Sequence, residues 1–180
     1  MIKNKCLLYI LLLSLPNYAQ DSIKVSSNMF KLNILRTGLA YEKSVSKLST
    51  INLDANFTPF FKKENSGIGS PKFFLNFNGH YRYYYNLEKR LKKGKNISGN
   101  SGNYLALGSS YYFKSLDESR AVSFNDGFST SAVWGLQRTY KSGINININT
   151  GIGYNFNKQT INSKIKPIIN FTIGWVIFNN

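Results

Sequence analysis

Positions 144–156 alternate without a break. Ile144, Ile146, Ile148, Thr150, Ile152, Tyr154 and Phe156 fall on one side; Asn145, Asn147, Asn149, Gly151, Gly153 and Asn155 fall on the other. A helix would scatter those isoleucines around its circumference, whereas a strand, whose side chains point to its two faces in turn, gathers them on one. The segment reads as a strand, and a long one. Strands of globular domains mostly run about 5–6 residues, while a strand tilted across a bilayer needs roughly 9–11.

The same period governs most of the chain. Ile165, Pro167, Ile169, Phe171, Ile173, Trp175 and Ile177 oppose Lys164, Lys166, Asn170, Thr172 and Gly174. Ile51, Leu53, Ala55 and Phe57 oppose Asn52, Asp54, Asn56 and Thr58, and Phe73, Leu75, Phe77, Tyr81 and Tyr83 oppose Asn76, Asn78, His80 and Arg82. Two noisier segments, 103–113 and 130–140, are rich in aromatics, Ser and Gly. Past the N-terminus no stretch is apolar enough for a membrane helix and none keeps a 3.6-residue period, so an all-β, antiparallel fold is expected.

Which face is outside decides the class. In a soluble sandwich the apolar face is the core; in a transmembrane barrel it meets lipid, polar residues fill the lumen and aromatics collect at the strand ends. Strand length favours the barrel, and so does the placing of Phe60, Phe61, Tyr83, Tyr84, Tyr85, Tyr111, Tyr112, Phe113, Tyr140 and Tyr154 at or near segment ends. A soluble exported barrel or sandwich binding a small apolar ligand is the alternative.

The connections fall at 44–49, 59–72, 86–102, 114–129, 141–143 and 157–163. Eight strands of about 11 residues leave room for such loops, whereas sixteen would consume the chain, which excludes a classical large porin. The tight Lys141-Ser142-Gly143 turn is expected in the periplasm, where barrels keep their short turns, and alternation from there puts the C-terminus in the periplasm too. The same parity asks for a first strand over 28–35, turning at Arg36-Thr37-Gly38. If 28–43 is instead one strand, the count is seven, against the even-number rule.

The N-terminus explains how such a chain reaches a membrane. Lys3 and Lys5 precede an apolar run over 6–15, broken only by Ser14, and then the helix-breaking, partly small Pro16-Asn17-Tyr18-Ala19-Gln20. This is the order of a cleaved signal peptide, assigned to 1–20, with the barrel domain over 21–180; the apolar run is too short to span a bilayer.

Composition then sharpens the function classes. The 180 residues carry 23 Lys or Arg against 8 Asp or Glu, a net charge of +15. In a cytosolic protein this would point to nucleic acid; on an exported one it points to anionic lipid, lipopolysaccharide phosphate or a cell-wall polymer. Cys6 is the only cysteine and His80 the only histidine, which leaves no cluster for a structural zinc and no disulfide framework, and no cofactor is expected. Lys89, Arg90, Lys92, Lys93 and Lys95 crowd the 86–102 connection, on the periplasmic side, as candidate contacts for a polyanion. Lys62, Lys63, Lys72, Lys158, Lys164 and Lys166 fall in or beside outer loops as candidate contacts for lipopolysaccharide phosphates. In the 114–129 loop Asp117, Glu118 and Asp126 outnumber Lys114 and Arg120, so it is expected to project as a contact loop.

The inward positions include Glu42, Asp54, His80 and Arg82 among many asparagines. Charges in a dry lumen need partners, so Arg82 is expected to pair with Glu42 or Asp54. An eight-stranded barrel is just wide enough for its own side chains, so a filled lumen without a large pore is expected. No Gly-x-Ser-x-Gly elbow occurs, and Gly67-Ile68-Gly69-Ser70 and Gly151-Ile152-Gly153-Tyr154 lack a phosphate-loop continuation. The Asn-x-Ser/Thr matches at Asn56, Asn96 and Asn170 are what chance gives in so Asn-rich a chain.

The stretches YEKSVSKLSTINLDANF (41–57), HYRYYYNLEKR (80–90) and GLQRTYKSG (135–143), behind an export signal, resemble the small outer-membrane β-barrels of Gram-negative bacteria, the OmpA/OmpX-like family. The resemblance implies a monomeric eight-stranded barrel in the outer membrane. Its partners would be outer-membrane lipid, lipopolysaccharide, the assembly machinery and an envelope or surface protein, and its role would be structural or through surface loops rather than catalytic. An outer-membrane lipid-modifying enzyme is the competing function. Barrels of this type usually end on an aromatic residue; here Phe178 is followed by Asn179 and Asn180, and strict alternation would point Phe178 inward.

Overall fold

A computed structural model describes residues 23–60, 63–64, 67–68, 72–113, 127–156 and 164–180. The 1–20 segment, Lys62, Lys158 and the charged residues of the 114–126 loop lie outside these residues. The strands are β1 (Asn28–Asn33), β2 (Gly38–Ser44), β3 (Ser49–Phe60), β4 (Lys63–Glu64), β5 (Gly67–Ile68), β6 (Lys72–Tyr83), β7 (Asn103–Tyr112), β8 (Gly127–Thr139), β9 (Ile144–Asn155) and β10 (Ile165–Asn179). Eight of them close a barrel in the order β1-β10-β9-β8-β7-β6-β3-β2, every pairing antiparallel, while β4 and β5 form a separate small hairpin. One helix, α1 (Leu87–Lys92), and a single 3₁₀ turn lie in the β6–β7 connection.

The first hairpin exists as two strands, so the count is eight and not seven. Met29 pairs with Glu42 and Leu32 with Leu39 across it, around a turn at 34–37. On its other side β1 pairs with β10, and Asn28 and Asn180 exchange backbone hydrogen bonds of 3.0 and 2.9 Å at the seam. The seam carries one irregularity: Phe30 faces Phe178 but Lys31 faces Val176, so Ile177 has no opposite number. The extra residue resets the phase of the strand end, as a β-bulge does. Ile177 and Phe178 consequently both face outward, 61% and 54% exposed.

The two ends differ. The turn end holds both termini of the barrel, the tight connections 45–48 and 140–143, and the folded 84–102 segment; the loop end holds the 34–37 turn and the other connections. At 140–143 the chain reverses through a Gly143 N–H to Tyr140 C=O bond of 2.9 Å, with Gly143 at φ +86°. Side chains are disfavoured there by about 1–2 kcal/mol. A Cβ would also lie 2.6 Å from Trp175 Nε1. Gly143→Ala should therefore lower the unfolding midpoint in urea, and an unchanged midpoint would contradict this reading of the turn.

Outward positions are apolar along the barrel. Leu105, Leu107, Ile148, Ile152, Ile169, Phe171 and Trp175 are all exposed, with Ile169 reaching 81%. Inward positions are polar: Lys31, Asn33, Glu42, Asn52, Asn56, Asn76, Asn78, Arg82, Gln137, Asn145 and Asn147 are buried. Twelve residues of β9 extend about 40 Å along the strand, which at a tilt of about 45° gives a height near the ~25 Å apolar band of membrane barrels. Among the described residues no helix is long and apolar enough to cross a membrane.

Candidate functional site

The lumen floor is built around one carboxylate. Glu42 on β2 points inward between Met29 and Asn52 and is fully buried. It accepts hydrogen bonds from Lys31 Nζ at 2.9 Å, Thr50 Oγ1 at 2.8 Å, Tyr84 Oη at 2.7 Å, Gln137 Nε2 at 3.3 Å and Arg82 Nη1 at 3.4 Å. Five strands or their immediate extensions thus meet on one group. Gln137 widens the network, its Oε1 accepting from Lys31 at 3.3 Å, Arg82 at 3.2 Å and Asn147 at 3.3 Å. The Arg82 guanidinium also sits 4.9 Å over the Tyr104 ring, a favourable place for a cation.

Of the two carboxylates named as partners for Arg82, the structure brings Glu42 to it and not Asp54. Asp54 sits higher in the barrel and accepts from the amides of Asn52, Asn56 and Asn78, at 3.2, 2.5 and 2.6 Å. A carboxylate saturated by neutral amide donors needs no cation beside it. Lys31, the second cation on Glu42, was not among the sequence candidates. In the structure it obeys the same alternation, with Phe30 and Leu32 turned outward and Met29, Lys31 and Asn33 inward.

Below the floor the barrel is stoppered. Val25, Tyr84, Leu87 and Tyr104 are buried together at the turn end, with Ile23, Leu48 and Ile97 packed against them. The Tyr84 and Tyr104 rings lie 5.4 Å apart. Tyr84 is therefore not one of the outer aromatics, as its place in Tyr83-Tyr84-Tyr85 led us to expect: alternation sends Tyr83 and Tyr85 out and Tyr84 in. Gly135 opposite Tyr104 and Gly108 opposite His80 make room for those rings, since a Cβ at either glycine would overlap the facing side chain.

Above the floor the lumen is not filled. A cavity of about 280 Å³ runs from Lys31 and Arg82 up to Tyr112, Ser129 and Pro167 at the loop end. The expectation of a filled lumen holds for the turn half only. The reason is lateral: β7 and β8 contribute small inward residues, Ala106, Gly108, Ser110 and Ser131, while β3, β6 and β9 carry Asn, with Asp, His and Arg added on β3 and β6.

The basic residues of the connection are on the outside of the stopper. Lys89, Lys92, Lys93 and Lys95 are exposed and Arg90 is half-buried, its Nη2 donating to Asn96 O at 2.9 Å. Lys92 bonds Glu88 at 2.7 Å one helical turn away; that hydrogen bond and the lysine charge hold the Glu88 carboxyl below its ordinary range. Lys24, Lys43, Lys47 and Lys141, not among the sequence candidates, are exposed on the same end. At the other end Lys164 and Lys166 are exposed, Lys72 opens β6 and Lys63 lies in β4. Among the described residues no three His, Cys, Asp or Glu side chains converge as a metal site.

Fold and lumen together define a class: a closed, eight-stranded, antiparallel up-and-down β-barrel with an apolar exterior, a charged floor and a stoppered turn end. Compared with protein-family models, curated proteins and solved structures, the chain matches none.

Proposed function

We propose that the chain is a non-enzymatic outer-membrane β-barrel of the OmpA/OmpX-like kind, exported by its N-terminal segment, monomeric, with an envelope-stabilising or loop-presenting role. The observation that carries this reading is the inverted distribution of polarity. Exposed Leu, Ile, Phe and Trp cover the outside of the strands, and Lys, Glu, Arg and Asn are buried inside. Water would penalise that outside, and a bilayer would not. The exposed rings of Tyr83, Tyr85, Trp134 and Tyr140 towards the turn end, and of Tyr111, Phe113, Phe128 and Phe156 towards the loop end, suit the two interfaces. The asparagine-lined lumen counts against the soluble reading, which needs an apolar interior for its ligand.

The charge supports contacts at both membrane surfaces. The Lys89-to-Lys95 cluster with Lys24, Lys43, Lys47 and Lys141 would meet inner-leaflet phosphates or a periplasmic polyanion, and Lys164 and Lys166, with Lys62, Lys63, Lys72 and Lys158, would meet lipopolysaccharide phosphates. The test is fractionation of cells producing the full chain, followed by gels of heated and unheated samples. Recovery in outer membrane, with a band that migrates differently before boiling, is the expected result. A soluble product without detergent would end the membrane reading.

A further inference from the structure

The unfilled half of the lumen has the size, shape and chemistry of a binding site. We infer that it takes a neutral, polyhydroxylated molecule of monosaccharide size. Its volume, about 280 Å³, lies just under the range of drug-sized pockets and equals roughly nine waters at about 30 Å³ each. Its lining is uneven. On β3 and β6 it offers amides and a carboxylate, from Asn78 and Asp54; on β7 and β8 it is short, with Ser110 and Ser131, and on β9 and β10 Asn149 stands beside the apolar Ile168. A sugar ring presents the matching pair of surfaces, hydroxyls around its edge and C–H groups on its faces.

The neutrality of the ligand follows from how the wall's charges are already met. Glu42 is answered by Lys31 and Arg82, Asp54 by three amides, and Arg36, the third cation on the wall, by the amide oxygens of Asn56 and Asn170 at 3.2 and 3.3 Å. An ionic ligand would enter a low-dielectric site where these charged groups already have their hydrogen-bond partners, and its desolvation would go uncompensated. Hydroxyls, by contrast, both donate and accept, as do Asn and Ser, so each can bond a wall group in either orientation. The floor and the Tyr84–Leu87 stopper close the site at the turn end, so it is a blind well rather than a passage through that end.

His80 is the chain's only histidine and lines this well, which makes its ring resonances a reporter that no other residue can imitate. The experiment titrates the refolded full barrel in micelles with glucose, galactose, glucuronate and glucosamine while following His80 by NMR. A saturable shift with a neutral sugar, at roughly millimolar affinity for a ligand of this size, is expected. Ser131→Phe, which fills the well, should weaken it at least tenfold, while Lys164→Gln at the rim leaves it unchanged. Ser110→Leu serves in place of the first variant if heat-modifiable migration shows that Ser131→Phe does not fold. Absence of any saturable shift with neutral sugars up to about 100 mM would overturn the inference. So would tighter binding of glucuronate or glucosamine, or binding that survives a filled well. None of these outcomes bears on membrane location, which fractionation decides separately.

Discussion

Glu42→Ala should be the most damaging single substitution in the lumen. The carboxylate is fully buried and is the common acceptor for two cations and two hydroxyls, from Lys31, Arg82, Thr50 and Tyr84. Its removal leaves Lys31 and Arg82 side by side without their shared counter-charge. Removing one partner of a buried pair costs about 3–5 kcal/mol, and two stranded cations place this site at the upper end of that range. Arg82→Ala should cost less, because Glu42 keeps Lys31 at 2.9 Å and the two hydroxyls. Urea titration of the refolded barrel should therefore rank the wild type above Arg82→Ala and Arg82→Ala above Glu42→Ala. Equal midpoints for all three would show that the floor contributes nothing to stability. Replacing Lys31, Glu42 and Arg82 together by apolar residues should recover much of the loss, since the cost lies in unpaired charge rather than in missing attraction.

How much of this floor was legible depended on how far each residue stood from a clean alternating run. Glu42 and Arg82 lie in segments whose outward neighbours, Leu39 and Tyr41 or Tyr81 and Tyr83, are unmistakably apolar, and period two alone turned both inward. Lys31 obeys the same rule, but β1 has only six residues and its pairing with β10 slips at Phe30, so its run is too short to announce its phase. Phe178 was legible as a conflict: alternation pointed it in, chemistry wanted it out, and the one-residue shift at Ile177 reconciles them. The stopper was not legible at all. It has no period, α1 is six residues long, and its packing depends on pairs such as Tyr84 with Tyr104 and Leu87 with Gly102 that are far apart in sequence. Likewise the well arises from small residues on β7 and β8 that face larger ones only once the barrel has closed. Local pattern fixes which face each residue joins; what it meets across the lumen is a property of closure.

Leu107→Arg should separate the membrane reading from every soluble one. Leu107 lies midway along β7, points outward and is 67% exposed, flanked by Tyr81 on β6 and Ala132 on β8. On a protein surrounded by water, replacing so exposed a leucine by arginine removes an apolar liability and should leave stability within about 0.5 kcal/mol. On a barrel surrounded by lipid the same guanidinium sits near the midplane, where it costs about 2–4 kcal/mol. The two environments thus predict effects that differ several-fold for one substitution, with no change to the lumen. Folding into bilayer vesicles, followed by urea titration, measures it. A large loss at Leu107 should be matched by a much smaller one for Tyr140→Arg, which lies at the turn end where an arginine can reach headgroups. If Leu107→Arg folds as stably as the wild type, the apolar exterior is not a lipid-facing belt. The inverted polarity of the barrel would then need a protein partner rather than a bilayer to cover it.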